Sequence, residues 1–143
     1  ILFNHESPLR SKEFVTKKIV DTALKIKRKK SIKLKLGNVD IFRDWGWAPD
    51  YVKAIWLMMQ RTKPRDFIIG SGKTHSLSEF VNEVFSYLNI SKKNLKTNVS
   101  RYKRKIDLKG YKANIEDTQK ILKWKPSLKF KTIIHKMINN ELF

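Results

Sequence analysis

Cysteine is absent from the chain, which removes disulfides, thiol nucleophiles and cysteine-ligated zinc from its chemistry. Histidine is scarce: His5, His75 and His135 are the only three, and their wide separation argues against a metal site. No apolar run approaches the ~20 residues a membrane helix needs, and the best stretch, 54–59, is bounded by Lys53 and Gln60. The opening ILFNHESP has neither the basic region nor the cleavage site of a signal peptide. A soluble, cytoplasmic protein without a metal is expected. Because the chain starts in mid-strand without methionine, it reads as a piece of a longer protein. Its 143 residues suit one compact unit with one core.

Acidic residues are also few, 13 Asp plus Glu against 32 Lys plus Arg, for a net charge of +19. Such a surface attracts polyanions. The excess, however, is lysine spread along the chain, with none of the sequence patterns of nucleic-acid-binding folds, so a nucleic-acid-binding module is only a distant alternative. The densest run, KIKRKK at 25–30, falls where a helix should end, and cations suit a helix C-terminus. Complete catalytic motifs are missing too. There is no G-x-G-x-x-G, no Tyr-x-x-x-Lys pair and no supported Ser-His-Asp arrangement. GSGKT fails as a phosphate-binding loop because Phe67 stands where the first glycine is required.

What is present is a helix-rich α/β pattern with few short strands. Residues 1–3 read as the end of a buried strand and NHESP as the loop leaving it, a place where α/β sheets bind ligands. Residues 14–26 show helical spacing, and SIKLKLGN alternates as a half-buried strand carrying Ile32, Leu34 and Leu36 on one face. Pro49 starts a helix to about Gln60, whose stripe of Val52, Ile55, Trp56 and Met59 is expected in the core. Residues 66–69 form a strand, and Ser76 with Glu79 makes a capping box for a helix to about Leu88. The polar segment 91–100 lacks periodicity and reads as a mobile loop. Helices over 115–122 and 130–142 close the chain around the WKPS stop signal.

ILFNHESP, FVTKKI, LGNVDIFRDWGWAPDYVKAIWLMMQ, THSLSEFV and ILKWKPSLKF, in this order, resemble the corresponding stretches of GDP-mannose 4,6-dehydratases, members of the extended short-chain dehydrogenase/reductase family. A related nucleotide-sugar epimerase, dehydratase or reductase of that family is the nearer alternative. The resemblance implies a C-terminal nucleotide-sugar-binding portion over 1–143, with the dinucleotide-binding half and the catalytic residues upstream. The whole enzyme would be an NADP-dependent hydro-lyase and homo-oligomer converting GDP-mannose to GDP-4-keto-6-deoxymannose, towards GDP-fucose; this segment alone would be inactive.

Residue by residue, the resemblance implies that His5 and Arg10 contact NADP. Asn4 would contact the sugar or diphosphate, Arg43 the diphosphate, Lys18 and Asn38 the nucleotide. Arg104 would grip phosphate, and Asp107 would accept from ribose hydroxyls. For Arg43 a salt bridge to Asp44 or Asp40 is the alternative, for Asn38 a left-handed turn, and for Lys18 and Arg104 a solvated surface. Around Arg104 the family's proline and final aspartate are replaced by Lys105 and Lys109, and Trp47 replaces a histidine.

Overall fold

A computed structural model describes residues 1–28, 31–102 and 110–142. The expected site residues Arg104 and Asp107 lie outside the described residues. The fold grows from amphipathic helices. Helix α1 (Val15–Arg28) buries Thr16, Ile19, Val20, Ala23 and Ile26, the recurrence that puts one face of a helix against a core. Helices α3 (Leu77–Tyr87) and α5 (Phe130–Asn139) contribute Phe80, Val81, Val84, Ile133, Ile134 and Met137 to the same core, which Leu34, Leu36, Trp45 and Trp47 complete. A second cluster gathers Tyr51 and Ala54 of α2 (Ala48–Met59) with Phe67, Ile69, Ala113, Ile115, Trp124 and Leu122 of α4 (Glu116–Leu122).

The expected capping box opens α3: Ser76 Oγ accepts from the Glu79 amide at 3.0 Å, and Glu79 Oε2 accepts from the Ser76 amide at 2.6 Å. That backbone hydrogen bond holds the Glu79 carboxyl below its ordinary range. Ser76→Ala should lower stability by about 1 kcal/mol, read as an earlier urea midpoint. An unchanged midpoint would show that the cap adds nothing.

The strands are short and join distant segments. β1 (Asn4–Glu6) runs parallel to β4 (Trp45–Trp47), pairing Asn4 with Trp45, His5 with Gly46 and Glu6 with Trp47. On the other side Leu2 bridges Ile69 in parallel, supported by Phe3 N–H to Ile69 O and Ile69 N–H to Ile1 O, both 2.9 Å. β3 (Phe42–Arg43) is antiparallel to β5 (His75–Ser76), and β2 (Leu34–Lys35) is parallel to β6 (Leu95–Lys96). Mixed α/β with few short strands is therefore the architecture found.

Four expectations are corrected. NHE belongs to the first strand rather than to a loop, because its backbone pairs with WGW whatever the polarity of its side chains. Segment 91–100 is not structureless: a 3-10 turn (Lys92–Asn94) leads into β6, and the Asn98 and Val99 amides bond to Gly37 O and Leu36 O. The α2 stripe is not core; Val52, Ile55, Trp56 and Met59 are 66, 38, 58 and 77% exposed, since the helix turns Tyr51 and Ala54 inward instead. Asn38 is not among the residues with positive φ; its Oδ1 accepts from the Asp40 amide at 2.9 Å, a side-chain turn that leaves φ ordinary.

Candidate functional site

A cleft of about 740 Å³ opens between the amino end of β1, the start of α1, the 36–43 segment and Tyr102. Asn4, Arg10, Lys18, Asn38 and Arg43 all line it, five of the eight residues the resemblance singled out. They arrive from four separate pieces of chain. Asn4 comes from β1, where its carbonyl accepts from the Tyr51 hydroxyl at 3.1 Å. Gly46, opposite His5 in the ladder, makes room for that tyrosine, because a Cβ at 46 would run into the Tyr51 ring. Burial, with Asp44, Glu6 and Asp50 nearby, raises the Tyr51 phenol's pKa and keeps it a neutral donor.

Arginines and lysine in the cleft are set by aromatic rings. The Arg10 guanidinium carbon sits 3.6 Å from the centroid of Phe14, Lys18 Nζ 3.8 Å from that of Tyr102, and the Arg43 guanidinium carbon 5.5 Å from that of Tyr111. A ring face attracts a cation through its quadrupole. Arg43 Nη1 also donates to Phe42 O at 2.7 Å. Sequence reasoning did not single out Phe14, Tyr102 and Tyr111; aromatic residues one turn or one loop away from cations were the available signal.

Asp44, the neighbour of Arg43, performs a different task. Its carboxylate is 1% exposed and accepts from the Ser71, Gly72 and Ala113 amides at 2.7, 2.9 and 3.2 Å. These three bonds, rather than Arg43, take up its carboxylate. The same bonds take up the Ser71 and Gly72 amides of GSG, which a phosphate would otherwise use. Asp50 and Trp124 form a second brace: Trp124 Nε1 donates to Asp50 O at 2.9 Å, and Asp50 Oδ2 accepts from the Ser127 amide at 2.9 Å. Asp44 of RDW and Trp124 of W-x-P are thus architectural.

His5 and Arg10 stand differently towards this cleft. His5 lies in β1 rather than in the loop after it and does not line the cleft; its Nδ1 is 2.9 Å from Phe3 O, and its ring is tilted on Tyr51 at 4.8 Å. Arg10 sits in the cleft with Asn4. A second hollow, about 840 Å³ between α3 and the 125–131 segment, contains none of the expected site residues. Among the described residues no three His, Cys, Asp or Glu side chains gather as metal ligands, and no helix is long and apolar enough to cross a membrane.

The sequence profile of the family described as GDP-mannose 4,6 dehydratase matches residues 1–137. The chain is 38% identical over 142 residues to GDP-mannose 4,6 dehydratase 1 of Arabidopsis thaliana, covering 99% of this chain and 39% of that protein. It is 39% identical over 162 residues to GDP-mannose 4,6 dehydratase of Homo sapiens, covering 99% of this chain and 43% of that one. The fold matches a dTDP-glucose 4,6-dehydratase of Bacillus anthracis in complex with NAD, with a TM-score of 0.82 and 21% identity over 96% of this chain and 42% of the other. The chain spans about two fifths of the length of the relatives it matches.

Proposed function

Because the chain belongs to the GDP-mannose 4,6-dehydratase family, we propose that it is the nucleotide-sugar-binding portion of an enzyme that dehydrates GDP-mannose to GDP-4-keto-6-deoxymannose. One observation carries this reading: Arg10, Lys18 and Arg43 share a single cleft with the amides of Asn4 and Asn38. Three cations in one hollow suit a diphosphate, and an arginine fork matches phosphate oxygens in pairs. An asparagine amide both donates and accepts, as sugar hydroxyls and a purine edge require.

On this reading Arg43 and Lys18 hold the diphosphate, Asn4 reaches the sugar or diphosphate, and Asn38 meets the base. Arg104 and Asp107 belong to the same proposal through the resemblance. NADP, or at least a nicotinamide cofactor, would supply the redox chemistry from a site built chiefly by residues beyond this chain, in a soluble, cytoplasmic homo-oligomer. This segment's part is to fix the substrate, and fixed reactants can lower a barrier by roughly 7–11 kcal/mol. Alone it binds and does not turn over.

Titration calorimetry of GDP into the chain tests the reading. Arg43→Ala should weaken GDP by roughly 10- to 100-fold, the size of about 1.5–3 kcal/mol for a charge-assisted phosphate contact. Arg43→Lys should recover only part, since a point charge replaces a fork. Equal GDP affinity in the wild type and Arg43→Ala would remove the diphosphate from this cleft.

A further inference from the structure

Two adjacent lysines of α1 are held in different ways. Lys17 Nζ pairs with the Asp21 carboxylate at 3.3 Å. Among the described residues no carboxylate pairs with Lys18; its Nζ stands instead 3.8 Å from the centroid of the Tyr102 ring. Both residues line the cleft, yet they come from distant segments, Lys18 from α1 and Tyr102 from a 3-10 turn (Ser100–Tyr102). The place of the ring is fixed by its backbone. The Tyr102 amide donates to Val99 O at 2.9 Å, and the Asn98 and Val99 amides donate to Gly37 O and Leu36 O at 2.9 and 3.0 Å. Gly37 permits the approach, since a Cβ there would run into the Tyr102 carbonyl. Tyr102 thus joins α1 to the turn that carries Asn38.

A lysine ammonium is a strongly hydrated point charge on a flexible four-carbon stem. Left alone, Lys18 would sample many rotamers and lose that freedom when a ligand bound, which weakens affinity. A carboxylate could hold it, but only by cancelling the charge that attracts a nucleotide's phosphates. A ring face holds a cation through its quadrupole and carries no net charge. We propose that Tyr102 is a positioning residue for nucleotide binding: its ring fixes the Lys18 ammonium in the cleft, with its charge uncancelled, before the ligand arrives. The inference rests on the cleft being the nucleotide-sugar site and deepens the part that Lys18 plays there.

Two readouts test it, one of them free of ligand. The first is the ε-methylene proton signal of Lys18 in lysine-labelled chain, assigned by its absence from Lys18→Met. The ring current of Tyr102 should shift it upfield of the solvated lysines in the wild type and in Tyr102→Phe, and the shift should vanish in Tyr102→Leu. The second is GDP affinity by titration calorimetry. Tyr102→Leu should lower it roughly three- to tenfold, Tyr102→Phe should restore it, and Tyr102→Leu should add no loss in a Lys18→Met background. Should Tyr102→Leu not fold, trifluorophenylalanine at position 102 keeps the ring and its apolar surface while draining charge from its face. Against Tyr102→Phe it should show the same loss.

With GDP bound normally by the wild type, three results would each overturn the proposal and leave the reading of the cleft intact. One is a Lys18 signal that is not shifted in the wild type. Another is a folded Tyr102→Leu or trifluorophenylalanine chain that binds GDP as well as Tyr102→Phe does. The third is a loss that persists undiminished without Lys18, which would mean that the ring acts on the ligand itself. If the wild type bound no GDP, the reading of the cleft would fall and this role of Tyr102 with it.

Discussion

Between about pH 5 and pH 8 the wild-type chain is expected to lose about 2–3 kcal/mol of folding stability that the Glu6→Gln chain keeps. Burial raises the Glu6 carboxyl from 4.5 to about 7, against the smaller opposing effects of Thr16 and Arg10. The folded chain therefore holds that proton more tightly than the unfolded one. The resulting stability is fully present below about 4.5 and is lost as pH rises through about 7, because each unit of difference corresponds to about 1.4 kcal/mol. Glu79 and Glu83, whose carboxyls lie below their ordinary value, act in the opposite direction but are common to both chains and cancel. Urea unfolding at several pH values measures the difference; stabilities of the two chains running parallel from pH 5 to 8 would refute it.

Asp44→Ala should remove about 3–5 kcal/mol, a large share of the 5–15 kcal/mol typical of a domain. One buried carboxylate satisfies three backbone amides belonging to two separate segments, at Ser71, Gly72 and Ala113. Alanine would leave those donors without acceptors beside Gly70, where Asp44 packs closely, and each orphaned donor costs about 1–3 kcal/mol. Asp44→Asn should lose less, about 2 kcal/mol, since its carbonyl can still serve one side of the brace. Amide hydrogen exchange should accelerate first at those three residues. A loss below about 1 kcal/mol for Asp44→Ala would mean that water replaces the carboxylate at little cost.

The helices were legible because their signals are local. Spacing of Ile19, Ala23 and Ile26 defines α1, and Ser76 with Glu79 fixes the start of α3. The strands were less so, because two- and three-residue strands draw their identity from partners: Leu95 and Lys96 carry no pattern of their own and become a strand only beside Leu34 and Lys35. The α2 stripe shows another limit, since periodicity reveals that a helix has an apolar face without saying what meets it.

In the cleft, the resemblance singled out Asn4, Lys18, Asn38 and Arg43 individually, yet no spacing in the sequence shows that they share one hollow with Arg10. Glu6 and Asp44 escaped for a common reason. Each stands beside a more conspicuous residue, His5 or Arg43, and only burial and partners distant in sequence distinguish a brace from a surface acid. Phe14 and Tyr102 were hidden because an aromatic residue next to a cation looks like any other aromatic until the ring is seen against it.

The uncovered face of α2 has a colloidal consequence. Trp56 and Met59, 58 and 77% exposed, sit on a molecule carrying +19, so copies repel one another while ionic strength is low. At physiological ionic strength the Debye length shrinks to about 8 Å, and charges that far apart no longer keep neighbours from touching. Added sulfate or phosphate, which strengthens apolar association while it screens like charges, then works against solubility. For this chain dilute buffer should be the dispersing medium and concentrated sulfate the one that brings copies together.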